Sequence, residues 1–358
     1  MNTTEILQQR QAQLSEKALA KIKKQRKIFY IFLVVYLTIF AICAGTTLIY
    51  LSPASTLGEV FDSIFAYDPE NMIHYVNRTI KIPRILGGLM VGGFLAVGGA
   101  VMQGITRNYL ASPDVVGVSS GANLGLTIAF AMNLGTNTYV TNIAFSVIGA
   151  AISTIIIFTL SSRIKGSESG VKLLLAGSAL GTLFGAFSTA ITLWFYDQQG
   201  AGIFLWNNSG LLGIRWVGIA VLSMGLIGVI IAIFISGRLT VLGMGDETAV
   251  SLGQNVKATK TLGVIAVVLI ASSTVTVVGN IGFVGLIIPN IVKMGVGEDY
   301  RKVIPLSLVF GSMLLMISDV ISRLINMPAE TPIGFVTSII GIPVFLYLIN
   351  SRKAKGVF

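Results

Sequence analysis

The sequence predicts an all-α membrane protein that crosses the bilayer ten times. Hydrophobic residues make up 54% of the 358 residues and charged residues only 11%, against the ~25% that is usual in soluble domains. The chain also contains 40 glycines, which suit close packing between helices in lipid. The charges are too few to cover a water-exposed surface of this size, so a soluble fold is excluded.

Ten apolar runs approach or exceed the ~20 residues that a helix needs to cross the hydrocarbon layer. In chain order they are Ile28–Leu51, Ile85–Ile105, Val115–Leu134, Tyr139–Leu160, Leu173–Phe195, Trp216–Ile235, Leu262–Val278, Phe283–Val296, Val303–Leu324 and Ile333–Ile349. An even number of spans places both termini on one side of the membrane. Residues 28–350 then form one membrane domain between tails at 1–27 and 351–358.

The basic residues set the orientation, because cytoplasmic loops are enriched in Lys and Arg. With both termini in the cytoplasm, all but five of the 25 basic residues fall inside; the exceptions are Arg78, Lys81, Arg84, Arg215 and Arg323. The net charge of +10 is then a consequence of topology, and it does not indicate nucleic-acid binding. The basic N-terminus followed by a long apolar run predicts a retained first span rather than a cleaved signal peptide.

Two connections between spans predict short helices of their own. The outer segment Thr56–Thr79 carries acids and aromatics and is long enough for a surface helix. The inner segment 237–260 contains a run from Gly245 to Gly253 in which acids near the start suit the helix dipole and a glycine ends the helix. Such a helix needs a partner protein or the membrane surface to pack against.

Two glycine-rich runs, Gly92–Gly104 and Gly279–Asn290, follow the long outer and the long inner connection. They predict an inverted repeat of two five-span halves, in the manner of many transporters. Close helix packing alone would also account for them.

Three stretches carry longer motifs. The first, from Lys81 to Ala122, contains KIPRIL, VGGAVMQG, RNYLASPD and GVSSGA; the second, from Leu242 to Val256, contains LGMGDE and SLGQNV; the third is GFVGLIIPN at 282–290. With Asp319 and Arg323, and with Pro332-Ile333-Gly334, they resemble the FecCD-type permeases of iron–siderophore, haem and vitamin B12 importers.

The resemblance implies a bacterial plasma-membrane subunit that pairs with a second permease, identical or paralogous, around a central pathway. Two cytoplasmic ATPase subunits would bind ATP and Mg²⁺, and an extracytoplasmic binding protein would deliver the ligand. This chain would then have no enzymatic activity and no cofactor of its own. The expected ligand is a ferric siderophore, possibly of the hydroxamate type, with haem and cobalamin as alternatives.

Four positions depart from the family pattern. Lys81 stands where arginine is usual, Tyr109 where proline is usual, Asn290 where histidine is common and Lys293 where arginine is common. None removes a fixed charge or breaks a span, but they argue against transferring one particular ligand.

The resemblance also assigns roles to two groups of residues. Lys81, Arg84 and Arg323, at outer ends of spans, would meet glutamates of the binding protein and steer its approach; the alternative is that they anchor the spans at lipid headgroups. On the inner side the coupling helix that contacts the ATPase would include Met244, Asp246, Glu247, Leu252 and Gly253. The alternative for that segment is a solvated loop helix in which the two acids act as caps.

The fifth span has a face of small residues, and in the family this span borders the pathway. The candidate pathway residues are Ser178, Gly181, Thr182 and Ser188, although small residues also serve helix packing. The candidate cytoplasmic gate is formed by Gly170 and Val171, just before this span.

The sequence lacks the residues that ATP binding, ion-coupled transport, metal binding or nucleophilic catalysis would need. The run GSESGVK at 166–172 does not have the glycine spacing of a Walker A motif, so ATP must be bound by another chain. An ion-coupled carrier is disfavoured because Asp319 is the one acid predicted within a span. A single histidine, His74 in an outer loop, and a single cysteine, Cys43 in an apolar run, cannot build a metal site or a nucleophile–base pair.

Overall fold

The computed structural model describes residues 34–50, 55–132, 139–163, 169–195, 210–327 and 329–353. No β-strand occurs among them, as predicted. The chain divides into two units, Met1–Gly45 and Thr46–Phe358. In the first unit, helix α1 covers residues 34–45. The predicted N-terminal tail, the start of the first span and residues 354–358 lie outside the described residues.

The second unit contains twelve α-helices and two π-helical turns in its described part. They are π1 (Thr46–Tyr50), α2 (Leu57–Phe65), α3 (Met72–Val76), π2 (Asn77–Lys81), α4 (Ile82–Thr106), α5 (Val118–Ala131), α6 (Tyr139–Arg163), α7 (Ser169–Trp194), α8 (Trp216–Leu242), α9 (Asp246–Ser251), α10 (Val256–Val278), α11 (Val284–Val296), α12 (Tyr300–Leu324) and α13 (Ile333–Lys353).

Six helices are long and apolar enough to cross a membrane, the first running without interruption over Met72–Thr106. Four shorter apolar helices accompany them: Val34–Ile49, Val118–Ala131, Val284–Val296 and Ile333–Tyr347. Each of the ten predicted runs coincides with one of these helices. A membrane protein with many helical spans is therefore confirmed, whereas crossing by all ten helices stays a prediction.

Helix α4 lies at the centre of the second unit and packs against α8, α10, α11 and α12. All its residues from Val91 to Thr106 are buried. Helix α6 packs mainly on α5 and also on α10 and α7, helix α7 packs mainly on α5 and α6, and α13 packs on α11 and α12. The apolar side chains that remain exposed on these outer helices suit contact with lipid or with another subunit.

Glycines allow the backbone of α4 to approach its neighbours closely. A methyl group built at Gly99 would overlap the carbonyl of Gly285 on α11. A methyl group at Gly92 would overlap the carbonyl of Gly311 on α12. The two glycine-rich runs that the sequence singles out thus touch each other at Gly99 and Gly285. The inverted repeat itself stays a prediction.

The predicted surface helix of the first connection is confirmed as α2, followed by the shorter α3. Thr56 caps α2 by accepting a hydrogen bond from the backbone N–H of Glu59, and the Glu59 carboxylate accepts one from the backbone N–H of Thr56. This N–H of Thr56, together with its hydroxyl, lowers the pKa of the Glu59 carboxyl. The reciprocal bonds satisfy backbone donors at the helix start and fix where α2 begins.

The turn between α4 and α5 is packed against the bundle rather than extended away from it. Arg107 ends α4 in the left-handed conformation, with φ of 52°, which a non-glycine residue adopts at some cost in energy. The chain then turns back along α4, so that Pro113 lies against Gly98 and Gly285. The Asp114 carboxylate accepts a hydrogen bond of 3.4 Å from the backbone N–H of Phe283, directly before α11.

The backbone contact at Gly99 generates a stability prediction. Gly99→Ala should destabilise the protein by about 1–3 kcal/mol, because the added methyl group forces α4 and α11 apart. The control is Gly185→Ala in α7, where a methyl group would meet no atom within 4 Å and alanine is the better helix former. Thermal unfolding of the two purified variants in the same detergent measures the difference. Equal unfolding temperatures would contradict the packing argument.

Candidate functional site

A cluster of charged side chains joins α4 to α12 at one end of the bundle. Arg84, in the first turn of α4, donates to the Asp319 carboxylate of α12 from Nε at 3.1 Å and from Nη2 at 2.7 Å. Its two Nη atoms also form a bidentate pair with Glu330, at 2.7 and 2.8 Å. One guanidinium thus holds two carboxylates that follow it by 235 and 246 residues in sequence.

The other two predicted docking cations complete this Arg84 cluster. Arg323, one turn after Asp319 on α12, donates from Nη2 to the second carboxylate oxygen at 2.7 Å. The same nitrogen donates to the Thr47 hydroxyl of π1 at 2.7 Å. Lys81 donates from Nζ to the backbone carbonyl of Leu48 at 2.8 Å. The cluster therefore ties π1, the start of α4 and the end of α12 together.

These cations are not free surface charges in this structure. Lys81, Arg84 and Arg323 are 4%, 4% and 7% exposed, whereas the Glu330 side chain is 25% exposed. Three cations face two carboxylates, which leaves a formal charge of +1 in a mostly buried place. The sequence predicts that the three cations lie at one end of the molecule. It does not predict that they pair with carboxylates and a carbonyl of the same chain. Their meeting a binding protein stays a prediction.

Two other cations at this end are exposed. Arg78 of π2 stacks over the Tyr67 ring at 4.5 Å, and Arg215 precedes α8. Trp216, the first residue of α8, donates from Nε1 to the backbone carbonyl of Arg78 at 2.9 Å. The sequence places both arginines outside but gives no reason to prefer them as contacts. Glu330 is also missed, because an acid in a short loop shows no pattern that marks its partner.

At the opposite end, the predicted coupling segment forms the short helix α9. Gly245, with φ of 119°, precedes it, and Gly253, with φ of 77°, follows it, so both bends need glycine. The Asp246 carboxylate pairs with Lys260 of α10 at 2.8 Å and lies 3.5 Å from Arg107 at the end of α4. These side chains are 35–41% exposed, so each pair adds well under about 1 kcal/mol. Their effect is to orient α9 on α4 and α10.

The rest of the segment presents apolar side chains outward. Met244, Val250 and Leu252 are large exposed hydrophobics, and Ala249 is the buried residue of α9. Glu247 is exposed beside them and forms no ion pair among the described residues. The predicted contact residues thus separate into an inward anchor, Asp246, and an outward apolar surface, which we call the α9 surface.

Three of the four departures from the family pattern meet in one contact cluster. Asn290 of α11 donates to the backbone carbonyl of Tyr109 at 2.8 Å. The Lys293 ammonium lies 5.0 Å from the centre of the Tyr109 ring and 4.9 Å from that of Tyr300, and it donates to Gln103 of α4 at 2.7 Å. These contacts hold the turn after α4 against α11.

A cavity of about 360 Å³ lies beside this cluster. Its lining includes Gln103, Tyr109 and Tyr300 together with Met244, which lies next to α9. The Tyr109 hydroxyl donates to the Glu298 carboxylate, which also lines it. The cavity therefore borders both the contact cluster and the α9 surface, and its lining does not select one ligand.

The small residues of the fifth predicted span lie on different sides of α7. Ser178 and Thr182 are exposed, and Gly181 is half-buried. Ser188 is buried against α5, where it lies within hydrogen-bond distance of Asn123 at 3.1 Å and Thr127 at 2.7 Å. Ser188 is therefore a packing residue in this structure, and Ser178 and Thr182 are the ones on the open face.

Two further predictions concern the start of α7 and the single histidine. Gly170 and Val171 lie in the first turn of α7, but their side chains lie outside the described part of the chain. His74, predicted in a loop, lies in α3 and is buried, and its Nδ1 accepts a hydrogen bond from the backbone N–H of Asp68 at 3.2 Å. Among the described residues no three His, Cys, Asp or Glu side chains are placed to hold a metal ion.

A bundle of apolar helices around a buried central helix, with charged clusters near both ends of that helix, defines a multi-pass helical membrane protein. Residues 32–351 match the FecCD transport family, and the chain belongs to this family. It is accordingly a transport protein of the cytoplasmic membrane.

The chain is similar to permease subunits of iron-compound importers. It is 39% identical over 302 residues to the iron(3+)-hydroxamate import system permease protein FhuB of Bacillus subtilis, covering 84% of this chain and 78% of FhuB. It is 34% identical over 299 residues to the hemin transport system permease protein HmuU of Yersinia pestis, covering 82% and 89%. A solved structure, described as an inward-facing conformation of a metal-chelate type ABC transporter, matches with a TM-score of 0.73 and 25% identity, covering 89% of this chain and 99% of that one.

The Arg84 cluster generates a prediction about its central acid. Asp319→Asn should destabilise the protein by about 3–5 kcal/mol, because it leaves two buried guanidinium groups without their shared carboxylate. Glu330→Gln, at the more exposed position, should cost at most about 1 kcal/mol. Thermal unfolding in detergent compares the two, and adding Arg323→Gln to Asp319→Asn should recover part of the loss. Equal destabilisation by both single changes would contradict the central place of Asp319.

Proposed function

We propose that this chain is the permease subunit of an ABC importer that carries a ferric siderophore into the cytoplasm. All ten apolar helices cross the membrane in this proposal, and the end that carries α9 faces the cytoplasm with both termini. The observation that carries the proposal is α9, an anchored helix with an exposed apolar surface outside the spans. Such a surface needs a protein partner to cover it.

The distribution of exposed cations supports this orientation. Exposed basic residues near the α9 end include Arg238, Lys257, Arg301 and Lys302, whereas Arg78 and Arg215 are exposed near the other end. Cytoplasmic loops are the ones enriched in Lys and Arg. The α9 end is therefore the cytoplasmic one, where ATPase subunits would be found.

The anchoring of α9 supports a route for coupling. Asp246 connects α9 to α10 through Lys260 and to the end of α4 through Arg107. When the ATPase closes around Met244, Val250 and Leu252, the displacement would reach α4, which packs on four other helices. ATP and Mg²⁺ belong to the ATPase in this scheme, and this chain needs no cofactor.

The Arg84 cluster supports docking of an acidic binding protein at the opposite end. Glu330 is its most exposed carboxylate, and it occupies Arg84 in a bidentate pair. A glutamate of the binding protein would replace Glu330 on Arg84, with Arg323 and Lys81 adding to the local positive charge. The more exposed Arg78 and Arg215 would steer the approach.

A second permease subunit, identical or paralogous, completes the pathway in this proposal. Helices α7 and α13 each have an apolar face that the described part of the chain does not cover, including Leu183, Phe187 and Phe335. Ser178 and Thr182 lie on the open face of α7 and would line the route between subunits. A weakly polar wall of this kind suits passage of a bulky ligand without tight retention.

The ligand class rests on similarity to relatives. FhuB is named for an iron(3+)-hydroxamate and HmuU for hemin, and of these two the chain is more similar to FhuB, so a hydroxamate siderophore is the ligand in this proposal. Haem and cobalamin are the alternatives within the same architecture. Uptake of radiolabelled ferric hydroxamate, haem and cobalamin by a strain that expresses this system alone distinguishes them.

The proposed coupling generates a transport prediction. Leu252→Glu and Met244→Glu should each lower uptake at least about tenfold, because a charge without a partner at the ATPase contact weakens it by more than 1.4 kcal/mol. The matched control is Lys302→Gln, which makes the same change in net charge at an exposed position near the α9 end but outside the coupling segment, and it should leave uptake unchanged. Proteoliposomes with permease, ATPase and binding protein provide both uptake and ligand-stimulated ATP hydrolysis.

Two outcomes would overturn the proposal. Normal uptake in both glutamate variants would remove the α9 surface from the mechanism. Uptake by the permease in the absence of any ATPase would favour an ion-coupled carrier instead. So would a loss of uptake by the complete system when the proton gradient is collapsed at constant ATP.

The proposed docking exchange generates a binding prediction. Glu330→Gln should tighten binding of the binding protein by up to about fivefold, because the competing ion pair is worth about 0.2–1 kcal/mol. Glu70→Gln, an exposed acid of the connection before α4, makes the same change in net charge and serves as the control. Surface plasmon resonance at two salt concentrations measures both. An equal gain from the two variants would assign the effect to net charge and refute the exchange.

A further inference from the structure

Helix α2 presents its apolar face away from the protein. At 100° per residue, Leu57, Phe61, Ile64 and Phe65 fall within one arc of about 100°. Leu57, Phe61 and Phe65 are 69%, 65% and 78% exposed, and the two phenylalanine rings stack with centroids 5.7 Å apart. This face has no cover from the described part of the chain.

The side of α2 that faces the protein is narrow and carries Ser63 between the half-buried Glu59 and Val60, so it lacks the large apolar side chains of the opposite face. Ser63 is fully buried, and its hydroxyl donates to the carbonyl of Val60. Glu59, half-buried next to it around the helix, is held by Thr56. A helix on a water-exposed surface shows the reverse arrangement, with its apolar face inward. The environment outside α2 must therefore be apolar.

The depth of α2 identifies that environment. The continuous helix Met72–Thr106 has 35 residues, or about 52 Å, which is longer than a hydrocarbon layer of about 30 Å. Its charged residues, Arg78, Lys81 and Arg84, all lie in its first half, so the excess length belongs to its first turns. Helix α2 packs on π2, in these first turns, and on π1. It therefore lies at the level of the lipid headgroups.

The aromatic residues near α2 agree with this level. Trp216 bonds to the backbone of Arg78 in π2, and Arg78 stacks on Tyr67, two residues after α2 ends. Tryptophan and tyrosine are enriched where the membrane meets water, because each combines an apolar ring with a polar group. The residues around α2 thus have the composition of an interfacial belt.

We propose that α2 lies in the plane of the outer membrane surface and inserts Leu57, Phe61, Ile64 and Phe65 among the lipid chains. The capping box at Thr56 and Glu59 forms the helix start, and the buried side holds α2 to π1 and π2. The lipid contact then braces the segment that leads into α4. A lipid surface suits the apolar arc better than a soluble partner does, since α2 adjoins the interfacial belt.

The chain has a single cysteine, Cys43, so removing it leaves a cysteine-free background for site-directed labelling. In a Cys43→Ala background, a nitroxide spin label is placed by Phe61→Cys or, as the matched control on the polar flank, by Asp62→Cys. The purified full-length protein is reconstituted in phosphatidylcholine vesicles. Collision with oxygen, which concentrates in lipid, and with a water-soluble nickel complex reports the depth of each label.

The label at position 61 should lie about 5–10 Å below the headgroup boundary, the depth usual for interfacial helices, while the label at position 62 should be accessible to the nickel complex. Access of nickel to both labels would overturn the proposal. So would a label at position 61 shielded from both reagents, which indicates a second copy of the chain. A label that loses its oxygen contact when binding protein is added would assign the face to that protein instead. A second label at Phe65→Cys repeats the test if the first variant folds poorly.

Discussion

The close backbone contact of α4 with its neighbours is the constraint on which the rest of the structure depends. Gly99 meets the backbone of Gly285 on α11, and Gly92 meets that of Gly311 on α12, without room for a methyl group. In lipid there is little hydrophobic drive for helices to associate, so packing of small residues supplies much of the cohesion. These contacts make α4 a buried axis, and the positions of both charged regions follow from it.

Both ends of α4 carry an arginine that reaches another element. Arg84 begins the helix and holds Asp319 and Glu330, while Arg107 ends it in a left-handed conformation and approaches Asp246 of α9. Backbone strain of this kind is often found at functional sites, which agrees with a role for Arg107 in connecting α4 to α9. A helix packed on four neighbours moves with them rather than bending alone. It is thus suited to connect events at the two membrane surfaces.

The departures from the family motif acquire a common explanation only in three dimensions. Tyr109, Asn290 and Lys293 are separate substitutions in the sequence, yet they share one cluster between the turn after α4 and α11. The tyrosine ring receives the lysine ammonium, and the asparagine amide holds the backbone of the same turn. A change at one of the three positions therefore alters the environment of the other two. They concern local packing near the α9 end of the bundle, and they say little about the ligand.

The sequence by itself determined the ten apolar helices, the short helices α2 and α9 and the asymmetry of basic charge. These features depend on hydrophobic length, caps and glycine positions, which act over a few residues. The sequence also identified Arg84, Arg323 and Asp246 as functional candidates, through family motifs. Only the tertiary structure decided that Arg84 pairs with carboxylates 235 and 246 residues away, that Asp246 is an inward anchor and that Ser188 is packed against α5. Partners so distant in sequence are selected by which helices lie side by side, and that choice rests on the fit of whole surfaces rather than on any local pattern.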